Sequence, residues 1–168
     1  MIKRRPCTAG VVFAVYCLIL LWIVLFKTAL SPYQLKMLYS GRSLNLIPFY
    51  YADNMGRIHL RETVMNIVVF VPVGVYFKMF GVRLWKGVVY GALISLGLEL
   101  CQLVFGIGST DVTDLITNTL GTAIGCLCYM AALRIFGNKK RTDRVINAAG
   151  IIAISLFLLL ALTLALAN

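Results

Sequence analysis

Charge is scarce in this 168-residue chain, and acidic charge scarcest: charged residues make up 13% of it, with six Asp and Glu against sixteen Lys and Arg. Histidine occurs once, at His59 in a polar loop. A lone histidine offers no base for a serine or cysteine nucleophile and no His/Cys cluster of the kind zinc requires, so it reads as a solvated interfacial residue. Such sparse charge, set against 61% hydrophobic residues and a mean hydropathy of +0.91, excludes a water-soluble domain, whose surface would be left apolar. Short alternating strands are missing too. The apolar runs are roughly 20 residues long or clearly longer than a strand, which favours helices over a membrane barrel. No internal repeat is present, which leaves little basis for an alternating-access transporter.

What remains is an all-α polytopic membrane bundle, a single domain over residues 1–168 with about five spans. Lys3, Arg4 and Arg5 precede an apolar run over about 9–26, too long for a signal-peptide core and without a small-residue cleavage site before Lys27, so it is the first span. Residues 27–63 form the longest polar segment, broken by Pro32, Gly41, Pro48 and Gly56. Its tyrosines, phenylalanine and leucines, mixed with basic residues, place it at headgroup level, with Phe49, Tyr50 and Tyr51 as interfacial anchors. Further spans are expected at about 64–82, with Pro72 and Gly74 kinking it, and at 87–107, 111–136 and 145–167. The stretch GNKKRTDR, 137–144, reads as a basic loop.

The net charge of +10 does not indicate nucleic acid, because the basic residues are scattered between apolar runs. They report orientation instead. With the N-terminus in the cytoplasm, eleven Lys and Arg fall inside and five, Lys27, Lys36, Arg42, Arg57 and Arg61, fall in the first external loop. The loop excess marks these five as candidates for binding anionic groups. Five cysteines, Cys7, Cys17, Cys101, Cys126 and Cys128, are an odd number mostly inside apolar runs and read as small packing residues; C-x-C spacing sets Cys126 and Cys128 on different helix faces.

Against this background the polar residues of 95–125 stand out. An ionised side chain at bilayer depth costs at least about 2.5–3.5 kcal/mol on insertion scales. Gly91, Ser95, Glu99 and Gln102 lie at steps of four, four and three, one stripe of the third span. Asp111, Asp114, Asn118, Gly121, Gly125 and Cys128 repeat the pattern in the fourth. Thr110 or Asp111 is the expected N-cap of that helix, and Asp114 falls in its first turn. Glu62 and Asn66, four apart, share a face of the second span. Arg42, Asn45, Arg61, Glu62, Asn66, Glu99, Gln102, Asp111, Asp114 and Asn118 therefore form a candidate ligand site towards the outer half of the membrane. Two other readings stay open: that the same groups serve only to bond helix to helix, and that Glu99, Asp111 and Asp114 offer hard oxygens to Mg²⁺ or Ca²⁺. Gly121 and Gly125, a GxxxG pair, are a close-packing device.

Taken together, Asn45 to Phe49 (NLIPF), Asn66, Phe70, Pro72 and Gly74 in NIVVFVPVG, Ser95, Glu99 and Gln102, and Asp111, Asp114, Asn118 to Gly121 and Gly125 resemble the VanZ-like family of small bacterial membrane proteins. The resemblance covers about 42–130 and leaves the helix at about 145–167 as an added anchor. It implies the bacterial cytoplasmic membrane and a cell-envelope role, since the family takes its name from a member associated with low-level resistance to teicoplanin, a lipoglycopeptide. Members often carry an arginine in the turn that here reads Gly106-Ile107-Gly108-Ser109-Thr110, so its charge-neutralising role is expected of Arg42 or Arg61. Membrane lipid, a lipid-linked cell-wall precursor, a second copy or another membrane protein are the expected partners. Neither a cofactor nor a resident metal is implied. Alternatives are an intramembrane enzyme using a carboxylate as general base on a lipid-linked substrate, and a structural partner subunit docking through its small-residue stripes.

Overall fold

A computed structural model describes residues 7–26, 43–49, 56–106 and 109–167. Its helices are α1 (Cys7–Phe26), α2 (Gly56–Met79), α3 (Leu84–Phe105), α4 (Val112–Phe136) and α5 (Lys139–Ala167). Two three-residue strands, β1 (Ser43–Asn45) and β2 (Ser109–Asp111), pair in parallel with Ser43 opposite Ser109 and Asn45 opposite Asp111. All five helices are long and apolar enough to cross a membrane. The chain falls into two compact units, one comprising Leu38–Ala131 and the other α1 with the residues from Ala132 onward.

Within the first of these units, burial inverts the pattern of a soluble protein. On α3 the buried residues are Gly87, Gly91, Ser95, Leu98, Glu99 and Gln102, and on α4 Thr113, Thr117, Asn118, Gly121, Thr122, Gly125, Cys126 and Tyr129. Val89, Leu93, Leu96, Leu100 and Val104 face outward. Small and polar side chains inside with branched aliphatics outside is the arrangement that hydrocarbon favours, because lipid solvates leucine as well as another helix does.

The inner packing depends on missing side chains. A Cβ built on Gly125 would collide with the Val71 carbonyl oxygen, one on Gly121 with that of Ile67, and one on Gly74 with that of Thr122. Helices α2 and α4 thus touch backbone to backbone, as the glycine spacing suggested. The Cys126 thiol then reaches the Gly74 carbonyl at 3.4 Å. Phe70, Val73, Tyr76 and Met79 of α2 complete the core.

Several boundaries differ from the sequence expectation for identifiable reasons. Helix α2 starts at Gly56 and stops at Met79, not Val82. Its end is a Schellman turn in which the Val82 N–H bonds to the Phe77 carbonyl and the Gly81 N–H to that of Lys78, each at 2.9 Å, with Gly81 at φ 85°. The Lys78 ammonium adds a bond to the Val82 carbonyl at 3.2 Å, a cation at the negative end of the helix. Residues 139–144 are helical, so the expected basic loop shrinks to Gly137 and Asn138. Asn138 Oδ1 accepts the N–H groups of Lys140 and Arg141 at 2.9 and 3.3 Å, an N-cap that starts α5 within the basic stretch. Lys139 and Asp143 form an ion pair at 2.9 Å on the same turn. In that unit the Trp22 and Phe157 rings meet edge to face, 5.9 Å apart, joining α1 to α5.

Gly125→Ala is expected to cost about 1–3 kcal/mol of stability through forced separation of α2 and α4. Gly97→Ala, whose Cβ would meet nothing within 4 Å, should leave stability unchanged or slightly raised. Reversible unfolding in mixed micelles, followed by circular dichroism, reads both.

Candidate functional site

Four segments converge at the N-terminal end of α4. The parallel β1–β2 pair brings the first loop against the turn between α3 and α4. Asn45 Nδ2 then donates to Asp111 Oδ2 at 3.1 Å, and Asn45 Oδ1 accepts the Ile47 N–H at 3.1 Å, an Asx turn. Phe49 N–H donates to the hydroxyl of Thr113 at 3.0 Å. The loop and the acidic turn, expected on one face of the membrane, are in direct contact.

Asp111 is the N-cap, since its Oδ1 accepts the Thr113 N–H at 2.7 Å. Its own N–H donates to Glu99 Oε2 at 3.1 Å, while the Thr110 hydroxyl donates to the Glu99 carbonyl at 3.2 Å. A carboxylate from α3 therefore sits at the helix terminus whose backbone dipoles favour negative charge. Glu99 is 4% exposed, and this terminus supplies part of the stabilisation that the sequence led us to expect from an arginine. Of the two arginines proposed, Arg42 lies outside the described residues, and Arg61 is exposed beside Glu62 early in α2.

One turn further along α4, Asp114 Oδ1 accepts from Asn66 Nδ2 at 2.7 Å and so links α4 to α2. The Thr117 hydroxyl caps the Asp114 carbonyl at 3.2 Å. Deeper, Asn118 Nδ2 donates to Ser95 Oγ at 2.9 Å, tying α4 to α3 where both side chains are fully buried. Asn118 Oδ1 has no hydrogen-bond partner among the described residues. Gln102 is buried on the same stripe as Glu99.

Asn45, Asn66, Glu99, Asp111, Asp114 and Asn118 are thus gathered in a polar seam of three helices and two strands, with Gln102 beside it. Glu62 and Arg61 lie at the exposed start of α2. The threonine hydroxyls of Thr113, Thr117 and Thr122 were missed, although Thr110, weighed only as an N-cap, and the first two recur at steps of three and four within the acidic stretch. Thr122 bonds the Asn118 carbonyl at 3.1 Å and fills the space that Gly91 leaves open. Among the described residues no group of three or more His, Cys, Asp and Glu side chains is placed to hold a metal ion.

A small polytopic helical membrane protein, with carboxylates and amides gathered at one end of its bundle, is the class these features define. Residues 13–137 match the family described as VanZ/LLP1. The chain is also 38% identical over 152 residues to Protein VanZ of Enterococcus faecium, an alignment that covers 86% of this chain and 87% of that relative. It belongs to the VanZ/LLP1 family. No solved structure matches it.

Asp111→Ala should lower stability by about 1 kcal/mol through loss of the cap, whereas Asp111→Asn, which retains an accepting oxygen, should keep most of it. The same micelle unfolding assay distinguishes the two variants.

Proposed function

We propose that this chain is a multi-pass protein of the bacterial cytoplasmic membrane, with its N-terminus inside and its polar seam towards the outer leaflet. There it binds the headgroup of an envelope lipid or of a lipid-linked cell-wall precursor, and so lowers susceptibility to lipoglycopeptides such as teicoplanin. Membership of the VanZ/LLP1 family supports the envelope role. The distribution of Lys and Arg, eleven against five, supports the orientation.

The observation that carries the binding role is the convergence of Asn45, Asn66, Glu99, Asp111 and Asp114 from four segments on one end of the bundle. Carboxylates accept from ammonium and hydroxyl groups, and amides both donate and accept, which suits a headgroup rich in sugars or amines. Basic residues of the first loop, Arg42, Arg57 and Arg61, supply counter-charge for its phosphates. In this reading Glu99 and Asp114 anchor the headgroup, while Asn66, Gln102 and Asn118 orient it.

A second reading is favoured by the bonds themselves: Glu99, Asp111 and Asp114 each accept a hydrogen bond within the protein, as side chains that only fix the bundle would. Native mass spectrometry with lipid identification separates the two, comparing the gently purified protein with a Glu99→Gln, Asp114→Asn double variant. Binding predicts a cell-wall lipid that co-purifies with the parent and is lost from the variant. If both forms carry the same bulk lipids, the seam is structural and the binding role falls.

A further inference from the structure

We infer that the segment Leu44–Phe49 is a membrane wedge, whose Leu44, Leu46, Ile47 and Phe49 side chains insert among the acyl chains of the leaflet around the N-terminal end of α4. The four are 54%, 69%, 58% and 52% exposed, and the stretch from Ser43 to Phe49 contains no charged residue. An apolar cluster this open is a liability in water but a contact surface in lipid. The same end of the bundle already presents lipid-facing aliphatics: Leu60, Val64, Met65 and Val68 of α2, Leu100 and Val104 of α3, and Ile116 and Leu120 of α4. The wedge prolongs that apolar surface beyond the helix ends.

Two of its backbone donors are engaged within the protein. The Ile47 N–H is held by Asn45 Oδ1, the Phe49 N–H by the Thr113 hydroxyl, and Pro48 between them has no N–H to satisfy. Irregular backbone is not carried bare into hydrocarbon, so the backbone stays at the headgroup level and only the four side chains reach the acyl chains. Phe49 is also the one non-glycine among the described residues with positive φ, at 55°. A bulky residue rarely adopts that conformation, and here a hydrogen bond to a buried threonine holds it. The result is an aromatic side chain fixed outward instead of folded back onto the protein. The bond from Asn45 to Asp111 ties the wedge to the acidic turn.

The occupant we assign is acyl chain, and the test reads lipid contact directly. The two native tryptophans are replaced, Trp22→Phe and Trp85→Phe, and a single reporter is introduced as Ile47→Trp or Phe49→Trp in the full chain. A Lys140→Trp chain in the same background marks the water-exposed limit. The chains are reconstituted in phosphatidylcholine vesicles with bromine at defined acyl positions. Insertion predicts blue-shifted emission from both wedge reporters, loss of most of that emission to bromine near the glycerol end of the chains, and little quenching by aqueous iodide. Emission and iodide quenching like those of the Lys140→Trp chain would overturn the inference. So would blue-shifted emission that bromine does not quench, since the wedge would then be covered by protein. Neither result depends on whether the polar seam binds a headgroup.

Discussion

Backbone contact between α2 and α4 is the constraint on which the rest of this unit depends. Because Gly74, Gly121 and Gly125 have no side chains, the helices approach until the carbonyls of Ile67, Val71 and Thr122 occupy the space a Cβ would need. In lipid there is no hydrophobic penalty for separating two helices, so close van der Waals packing and interhelical hydrogen bonds must hold them. That approach brings Asn66 within 2.7 Å of Asp114 and sets Thr122 against Gly91 of α3. The polar seam is therefore a product of the glycine contact as much as of the polar residues that form it.

The seam also illustrates how a low-dielectric environment is made tolerable for acids. Each carboxylate at the N-terminal end of α4 has a donor from a different element: a backbone N–H for Glu99, the Asn45 amide for Asp111 and the Asn66 amide for Asp114. Unpaired, any of them would bear a desolvation cost that this fold has no reason to carry. Paired, they cross-link α2, α3, α4 and the first loop at one level. Asn118 Oδ1 is a buried acceptor that no described residue uses.

Much of this architecture was legible in the sequence. Apolar runs marked the five spans, and steps of three and four placed Ser95, Glu99, Gln102, Asp114 and Asn118 on inward stripes, because helical periodicity needs no tertiary information. GxxxG spacing likewise announced close packing. What escaped notice was either short or long-range. Two strands of three residues have too little pattern to detect, and their pairing joins residues 66 apart. The start of α5 was misplaced because a run of basic residues outweighed one capping asparagine. Thr113, Thr117 and Thr122, ambiguous between apolar and polar, were passed over although their hydroxyls close much of the backbone accounting around α4.

The parallel pairing of β1 and β2 has a consequence for how the chain is made. At ribosomal speeds of roughly 5–20 residues per second, Asp111 emerges about 3–13 s after Asn45. During that interval α2 and α3 are made while the first loop has no strand partner. Leu44, Leu46, Ile47 and Phe49 spend those seconds without the bonds that later hold them. Assembly of the polar seam is thus a late event in biosynthesis, and any factor that shelters the nascent loop acts before the fourth helix exists.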